Sequence, residues 1–204
     1  MAVRAARSIT KETPEPDALP RNQRERRDRI VNAAIELLEV QEYEQIQIRD
    51  VADRADVALA TVYRYFTSKE HLYAAALLEW SKTYELRPSA AGRELSSDAD
   101  RLRYLLVRAA RAFERRPQLL RAEMVLESSA DPNAQALFDQ FAQRHTAVLT
   151  AALRDTPPDQ IAAIVETTNS VLATKLRAWA RGRCTIKDVK TSLDRTVDLV
   201  LPEG

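Results

Sequence analysis

An all-α fold is what this sequence predicts, and three observations predict it. Only three glycines occur among 204 residues, where a β-rich chain would spend many more on tight turns. Alanine, leucine, arginine and glutamate dominate instead, all of them good helix formers. Apolar residues recur at three- and four-residue spacing between capping and proline signals. A hydrophobic content of 45% supplies a core, and a charged content of 30% supplies a wetted surface.

Residues 1–21 hold Pro14, Pro16 and Pro20 among mixed charges and no apolar period, so they are expected to form a flexible basic leader. Asn22 with Glu25 is read as the cap of a first helix over about residues 23–40. Ile30, Ala33, Ala34, Leu37 and Leu38 turn inward on it, and Arg24, Arg26, Arg27 and Arg29 crowd its start. Further on, Ile48, Val51 and Ala52 share one helical face, while Arg49, Asp50, Asp53 and Arg54 share the other. Ala55, Asp56 and Val57 interrupt that pattern. Asp56 tolerates a left-handed turn position, and Val57 can plug the space between helices. A second short helix from Ala58 places Val62 and Phe66 inward with Ala58 and Leu59 flanking them, and it turns Ala60, Thr61, Tyr63 and Arg64 outward.

Two short helices joined by such a turn make a helix-turn-helix, the centre of an N-terminal three-helix domain over residues 22–67. The outward set suits the major groove of duplex DNA: a small residue for close approach, a hydroxyl and a phenol for phosphate oxygens, a guanidinium for guanine or phosphate. The arginines at the start of the first helix could lie along a phosphate backbone or feed the leader into the minor groove. The same periodicity also describes an αα-hairpin inside an ordinary helical domain, with a solvated Thr/Tyr/Arg face. Thr67 with Glu70 is read as the capping box of the next helix, which puts Lys69 in its first turn as either a phosphate clamp or a solvated charge. His71 behind it is read as an added phosphate contact or as solvated.

Residues 68–204 form the second expected domain. The helix opened by Thr67 runs to about Leu86, before Pro88, and a polar loop at 87–97 follows. A helix from Ser97 or Asp98 to Arg116 carries Leu102, Leu105, Leu106, Ala109, Ala110 and Phe113 on one face, and Pro117 breaks it. A short apolar helix covers 118–129. Asp131 and Pro132 supply an N-cap and first-turn proline for a helix to about Leu153. Thr156, Pro157 and Pro158 end that helix and start another, which runs to Gly182, and Thr185 with Asp188 boxes the last one, to about Leu201. These last two helices show broad apolar faces: Ile161, Ile164, Val165, Thr168, Val171, Leu172, Leu176 and Trp179, then Ile186, Val189, Leu193, Val197, Leu199 and Val200. One face is expected to pack on the protomer and another on a twin, giving a homodimer through a two-fold four-helix bundle. Phe113, Leu120, Met124, Phe138, Phe141 and Trp179 are candidates for lining a cavity, though each is more readily read as ordinary core, and Asn169 and Thr168 could orient a ligand oxygen or equally bond a neighbouring helix.

Charge does not exclude a nucleic-acid partner. The net charge is +1, but residues 1–29 hold eight basic against five acidic residues, and residues 30–67 hold three against seven. Binding would rest on a few placed contacts plus the arm, with a moderate salt slope. Cys184 is the only cysteine, so no intrachain disulfide is possible, and no apolar run approaches a membrane span. A soluble, cytoplasmic protein with no membrane partner is expected. Two histidines and one cysteine without ligand spacing point to no metal, and nothing calls for a cofactor. His145 is read as a lone helical histidine. An enzyme is disfavoured, since there is no Ser/His/Asp set and no glycine-rich phosphate loop. A helical dimeric adaptor that binds protein instead of DNA is the alternative, distinguished by salt-insensitive affinity for a protein.

The run ELLEVQEYEQIQIRDVADRADV followed by TVYRYFTSKEHLYAAAL, with its Thr-x-Tyr-x-Tyr-Phe-x-Ser-Lys-Glu core, resembles the TetR family of bacterial transcription regulators over residues 23–80. The resemblance implies a DNA-binding, ligand-responsive regulator, most often a repressor, that docks on a palindromic double-stranded operator as a dimer and is released by a small apolar effector. It implies that Thr61, Tyr63 and Lys69 contact the DNA backbone and that Gln47, Leu59, Ala60 and Arg64 help read sequence; Arg49 joins them as a candidate from the outer face of its helix. Glu42 and Asp56 stand where the family favours glycine, Ala58 where it favours a capping serine, and Ala60 at another common glycine. These departures bear on sequence preference. The run LRAWARGRCTIKDVKTSLDRTVDLVL, together with VADRADVALATVYRYFTSKEHL, is similar to the actinobacterial TetR repressors of steroid-degradation genes. That likeness implies an acyl-CoA derivative of a steroid as effector, with its anionic end near Arg121 or Lys175.

Overall fold

The computed structural model describes residues 19–85 and 95–202, so most of the expected leader and of the loop at 87–97 lie outside the described residues. Among the described residues there are nine helices and no strand: α1 Arg21–Leu38, α2 Ile48–Arg54, α3 Leu59–Tyr65, α4 Lys69–Glu85, α5 Asp98–Arg115, α6 Pro117–Leu126, α7 Pro132–Thr150, α8 Pro158–Ala180 and α9 Ile186–Val200. None of them is long and apolar enough to cross a membrane.

The helix ends follow local chemistry, and two differ from expectation. Helix α1 starts on Pro20 rather than on an Asn22 cap: the Gln23 and Arg24 N–H groups donate to the Pro20 carbonyl at 2.9 and 3.0 Å. The fixed φ of proline pre-forms that first turn. Helix α4 is capped by Ser68, not Thr67, because the Ser68 Oγ accepts from the His71 N–H at 3.0 Å. The reciprocal partner is an imidazole, His71 Nδ1, which accepts from the Thr67 N–H at 3.1 Å. The other signals act as expected. Ser97 accepts from the Asp100 N–H, and Asp131 from Asn133 and Ala134. Thr185 and Asp188 form a reciprocal capping box. Gly182, at φ 68°, closes α8, with its own N–H on Trp179 and that of Arg183 on Ala178, both at 2.9 Å.

The α2–α3 turn passes through Asp56 at φ 52°, the only non-glycine residue with positive φ among the described residues. This conformation explains why glycine suits the position. Asp56→Gly is expected to raise the unfolding free energy by about 1 kcal/mol or less, read as a higher urea midpoint.

Helix α4 is the spine. Every residue from His71 to Leu77 is buried, with Trp80 and Ser81 beyond them, because α1 covers one side of the helix and α7 the other. A helix apolar all round must be enclosed in this way. The N-terminal core joins Ile30, Ala34 and Leu38 to Val51, Val62 and Phe66, and it continues without a break into Leu102, Leu106 and Leu120. Glu39 pairs with Arg116 at 2.7 Å, and Glu42 pairs with Arg121. Glu42 thus has a partner that a glycine there would lack.

Part of the broad apolar faces of α8 and α9 packs within the protomer, and part does not. Ile164, Val165, Thr168, Leu172, Leu176, Val189, Leu193 and Val197 are all buried where α8 and α9 pack on each other and on α5. Leu199 remains outward at 81% exposure. Ile161, Val171, Trp179, Ile186 and Val200 are half-buried.

One polar cluster locks the far end of the fold. Asp98 is buried and accepts from the backbone N–H groups of Arg154, Asp155 and Thr156 at 2.9, 3.0 and 2.8 Å, and from the Thr156 hydroxyl at 2.6 Å. Arg101, also buried, donates to Asp98 and to the carbonyls of Ala152, Leu95 and Ser96. Burial alone would raise the Asp98 carboxyl; the Thr156 hydroxyl, the Arg154 and Asp155 N–H groups and Arg101 overcome it and hold it at about 2.

Candidate nucleic-acid interface and ligand cavity

The outward face of α3 is built by burying its other side. Val62, Tyr65 and Phe66 sink into the core, and with 3.6 residues per turn this leaves Leu59, Ala60, Tyr63 and Arg64 on the surface, with Thr61 half-buried beside them. Leu59 is exposed rather than flanking the core. Gln47 and Arg49 are exposed at the start of α2, where the Gln47 N–H donates to Asp50 Oδ2 at 2.7 Å. Of these seven candidate residues, six are exposed and Thr61 is half-buried. The N-cap, Ala58, makes no side-chain bond to the helix, as its missing hydroxyl requires.

Two cations on this surface are engaged by aromatic residues. Arg64 lies over the ring of Tyr65 with its carbon 5.0 Å from the centroid, and it donates to the Tyr65 hydroxyl at 3.1 Å. Lys69 is the larger departure from expectation. Its ammonium donates to the Tyr43 carbonyl and stands 4.2 Å from the centre of the Tyr43 ring. Burial lowers its pKa, against the pull of Glu44, Glu70 and Asp50. Lys69, expected as either a phosphate clamp or a solvated charge, holds the 39–47 connection against α4, with one of its three N–H donors already spent.

His71, expected as solvated or on phosphate, is buried. Burial, aided by Arg27 and resisted by Asp131, pushes its pKa down to about 4. It is a neutral acceptor inside the α3–α4 junction, edge-on to Phe66 at 5.3 Å. Asp131 completes that junction. Its Oδ2 accepts from the Ser68 hydroxyl and from the Thr67 hydroxyl, the latter at 3.1 Å, while its Oδ1 caps α7. Asn133 adds a bond from its Nδ2 to Thr67 Oγ1 at 3.2 Å. The residue that ends the recognition hairpin and the residue that starts α7 are thus one hydrogen-bonded unit. Sequence signals identified Asp131 only as a cap, since nothing local says which helix end it will meet.

Helices α5, α6, α7 and α8 line a partly open cavity of about 230 Å³. Of the expected lining residues, Phe113, Phe138, Phe141 and Asn169 line it. Leu120, Met124 and Trp179 do not: Leu120 is buried in the core, and Met124 and Trp179 lie half-buried on other faces of their helices. Thr168 is turned away as well, its hydroxyl donating back to the Ile164 carbonyl at 2.8 Å. Arg121 is committed to Glu42, and neither it nor Lys175 reaches the cavity. The positive charge there is Arg177, which pairs with Glu127 at 2.6 Å. Glu123, His145, Thr146, Leu172 and Leu176 complete most of the wall. Glu123 of α6 and its C-cap Glu127 stand one helical turn apart and could have been read as a shared face; which helix faces them is not in that spacing.

Residues 30–76 match the family model for bacterial regulatory proteins of the tetR family, and residues 96–200 match the model for the tetracyclin repressor-like C-terminal domain. The chain is similar to the HTH-type transcriptional repressor KstR of Rhodococcus jostii, 36% identical over 93% of this chain and 89% of that protein. It is also similar to the KstR of Mycolicibacterium smegmatis, 32% identical over 88% of each. A TetR transcriptional regulator from Rhodococcus sp. RHA1 superposes with a TM-score of 0.73 at 27% identity, covering 89% of this chain and 98% of that one. FadR from Bacillus subtilis, solved with stearoyl-CoA, shares the fold with a TM-score of 0.65 at 14% identity, covering 86% and 97%.

Proposed function

This chain belongs to the TetR family of bacterial regulatory proteins, and from that membership we propose that it represses transcription: it binds a near-palindromic operator as a homodimer and lets go when a small apolar effector fills the α5–α8 cavity. One observation carries this reading. An exposed seven-residue recognition helix and an apolar cavity share a hydrogen-bonded joint, Asp131, which caps the cavity-lining α7 and grips the end of the recognition hairpin. An effector that favours a shifted α7 would move the recognition helix, and it releases DNA by its differential affinity for the two states. The relatives reported above carry repressor or regulator names, which supports regulation over catalysis. The effector is taken to be of the steroid or acyl-CoA class, in keeping with the KstR likeness and the aromatic wall of Phe113, Phe138 and Phe141.

In this reading residues 22–67 bind DNA and residues 68–204 bind effector and twin, with Leu199, Ile186 and Val200 at the centre of the α8–α9 dimer face. The test is binding to the chain's own upstream DNA, followed by fluorescence anisotropy across a salt series. Tyr63→Ala is expected to weaken binding to every operator variant alike. Arg64→Ala is expected to relax preference at one base pair by roughly 1–3 kcal/mol, as for an arginine reading guanine. Lys69→Ala should weaken binding and shallow the salt slope by about one unit if it reaches phosphate; an unchanged slope restricts it to holding Tyr43. No retention of duplex DNA at low ionic strength, with salt-insensitive affinity for a protein, would replace this reading by the adaptor.

A further inference from the structure

The cavity wall combines an aromatic and aliphatic lining with the charged residues Glu123, Glu127 and Arg177, and these charges are unequal in their partners. Glu127, the C-cap of α6, accepts from Arg177 of α8. Glu123, one turn earlier and also on the wall, receives no hydrogen bond from any described residue. Burial raises its pKa, with Glu127 adding to the rise and Arg177 opposing it, to about 7. Helix α7 brings His145 to the same cavity, while α5 brings only Ala109 and Phe113. A carboxyl in that setting carries its proton near neutrality and presents an O–H donor to an otherwise oily space. Glu123 is half-buried on the wall, so a ligand that covers this donor and supplies an acceptor gains affinity over a ligand that covers it and does not.

We propose that Glu123 is the polar anchor of the cavity: in its acid form it donates a hydrogen bond to a neutral oxygen acceptor, such as a ketone or ester carbonyl, on an otherwise apolar ligand, and it selects against ligands whose buried end is charged. This rests on the cavity being the effector site. Asn169, on the α8 wall, holds a buried Oδ1 with no partner among the described residues, so the same pocket can also accept a hydrogen bond from a ligand hydroxyl. Phe113, Phe138 and Phe141 select a flat or extended apolar body between these polar points.

The test uses four ten-carbon probes that differ only in the head group: methyl octyl ketone, decane, decylammonium and decanoate. Trp80, whose ring lies 5.0 Å from that of Phe113, reports cavity filling by fluorescence, in the full chain with Trp179→Phe to remove the second indole. The ketone is expected to bind about tenfold more tightly than decane. That advantage is present while Glu123 is protonated, below its value of about 7, and fades about tenfold as pH rises from roughly 6 to 8. Glu123→Gln, which keeps an N–H donor, should retain the ketone preference and lose its pH dependence; Glu123→Ala should lose both. Tightest binding by decylammonium, strengthening with pH, would overturn the proposal in favour of a carboxylate that takes a cation. Tightest binding by decanoate would assign the anchor to Arg177 instead. Equal binding of ketone and decane overturns the anchor alone, whereas no binding by any probe overturns the cavity as effector site and the anchor with it.

Discussion

Asp98→Ala is expected to lower the unfolding free energy by about 3–5 kcal/mol, the usual consequence of stranding a buried charge. The carboxylate is the common acceptor for three backbone N–H groups at 154–156, the Thr156 hydroxyl and the Arg101 guanidinium. Removing it leaves two buried donors of Thr156 and the part-buried N–H groups of Arg154 and Asp155 without this acceptor, and Arg101 with only Asp155, at 3.0 Å and largely exposed, as a charged partner. The cluster joins the start of α5 to the α7–α8 connection, so its loss loosens two walls of the cavity together. Urea denaturation monitored by circular dichroism reads the effect, and an unchanged midpoint would remove the cluster from the stability argument. The pH dependence has a definite sign. A carboxyl held at about 2, against an ordinary 3.8, contributes fully above 3.8, and its contribution disappears as pH falls toward 2. That contribution is about 2 kcal/mol. Asp98→Asn should therefore flatten the acid limb of the stability curve in this window.

Asp131→Ala is expected to uncouple effector from operator. Its two oxygens serve two helices: Oδ1 caps α7, and Oδ2 receives the Ser68 and Thr67 hydroxyls at the end of the recognition hairpin. The loss of the cap costs about 1 kcal/mol of stability. The larger consequence is functional, because effector occupancy should no longer lower operator affinity by the 5- to 150-fold or so that allosteric coupling typically supplies. Effector affinity itself should change little, since Asp131 does not line the cavity. Asp131→Asn keeps an oxygen for the cap and turns the second acceptor into a donor, so it separates the cap from the joint. The measurement is operator release against effector concentration, beside effector binding to the free protein. Wild-type release by both variants would route the signal through Trp80 of α4 and Phe113, whose rings touch directly.

The recognition hairpin was the most legible part of the chain. Ile48, Val51, Val62 and Phe66 are buried as their spacing requires, and Asp56 takes the left-handed turn that its small polar side chain permits. The helix starts at Ser97, Asp131 and Thr185 were legible for the same reason: a cap is a bond between residues two or three apart. The Thr67 cap and the Asn22 cap were misread because competing local acceptors, the Ser68 hydroxyl and the Pro20 carbonyl, take the first free N–H groups instead. Lys69 and Arg121 were assigned to solvent-facing work and are instead held by Tyr43 and Glu42, 26 and 79 residues away.

The sequence by itself determined the helical class, the register of each amphipathic helix, most of the caps and which side of α3 faces outward, because all of these depend on bonds and periodicities spanning a turn or two of chain. The tertiary structure alone decided that Phe113, Phe138, Phe141 and Asn169 meet in one cavity while Leu120, Met124 and Trp179 stay out of it. It also decided that Glu123 sits there with a raised pKa, and that Asp131 is shared between two helices. Apolar periodicity says that a helix face is buried; which of several oily faces it meets depends on how the whole set of helices fills space, and no single helix encodes that.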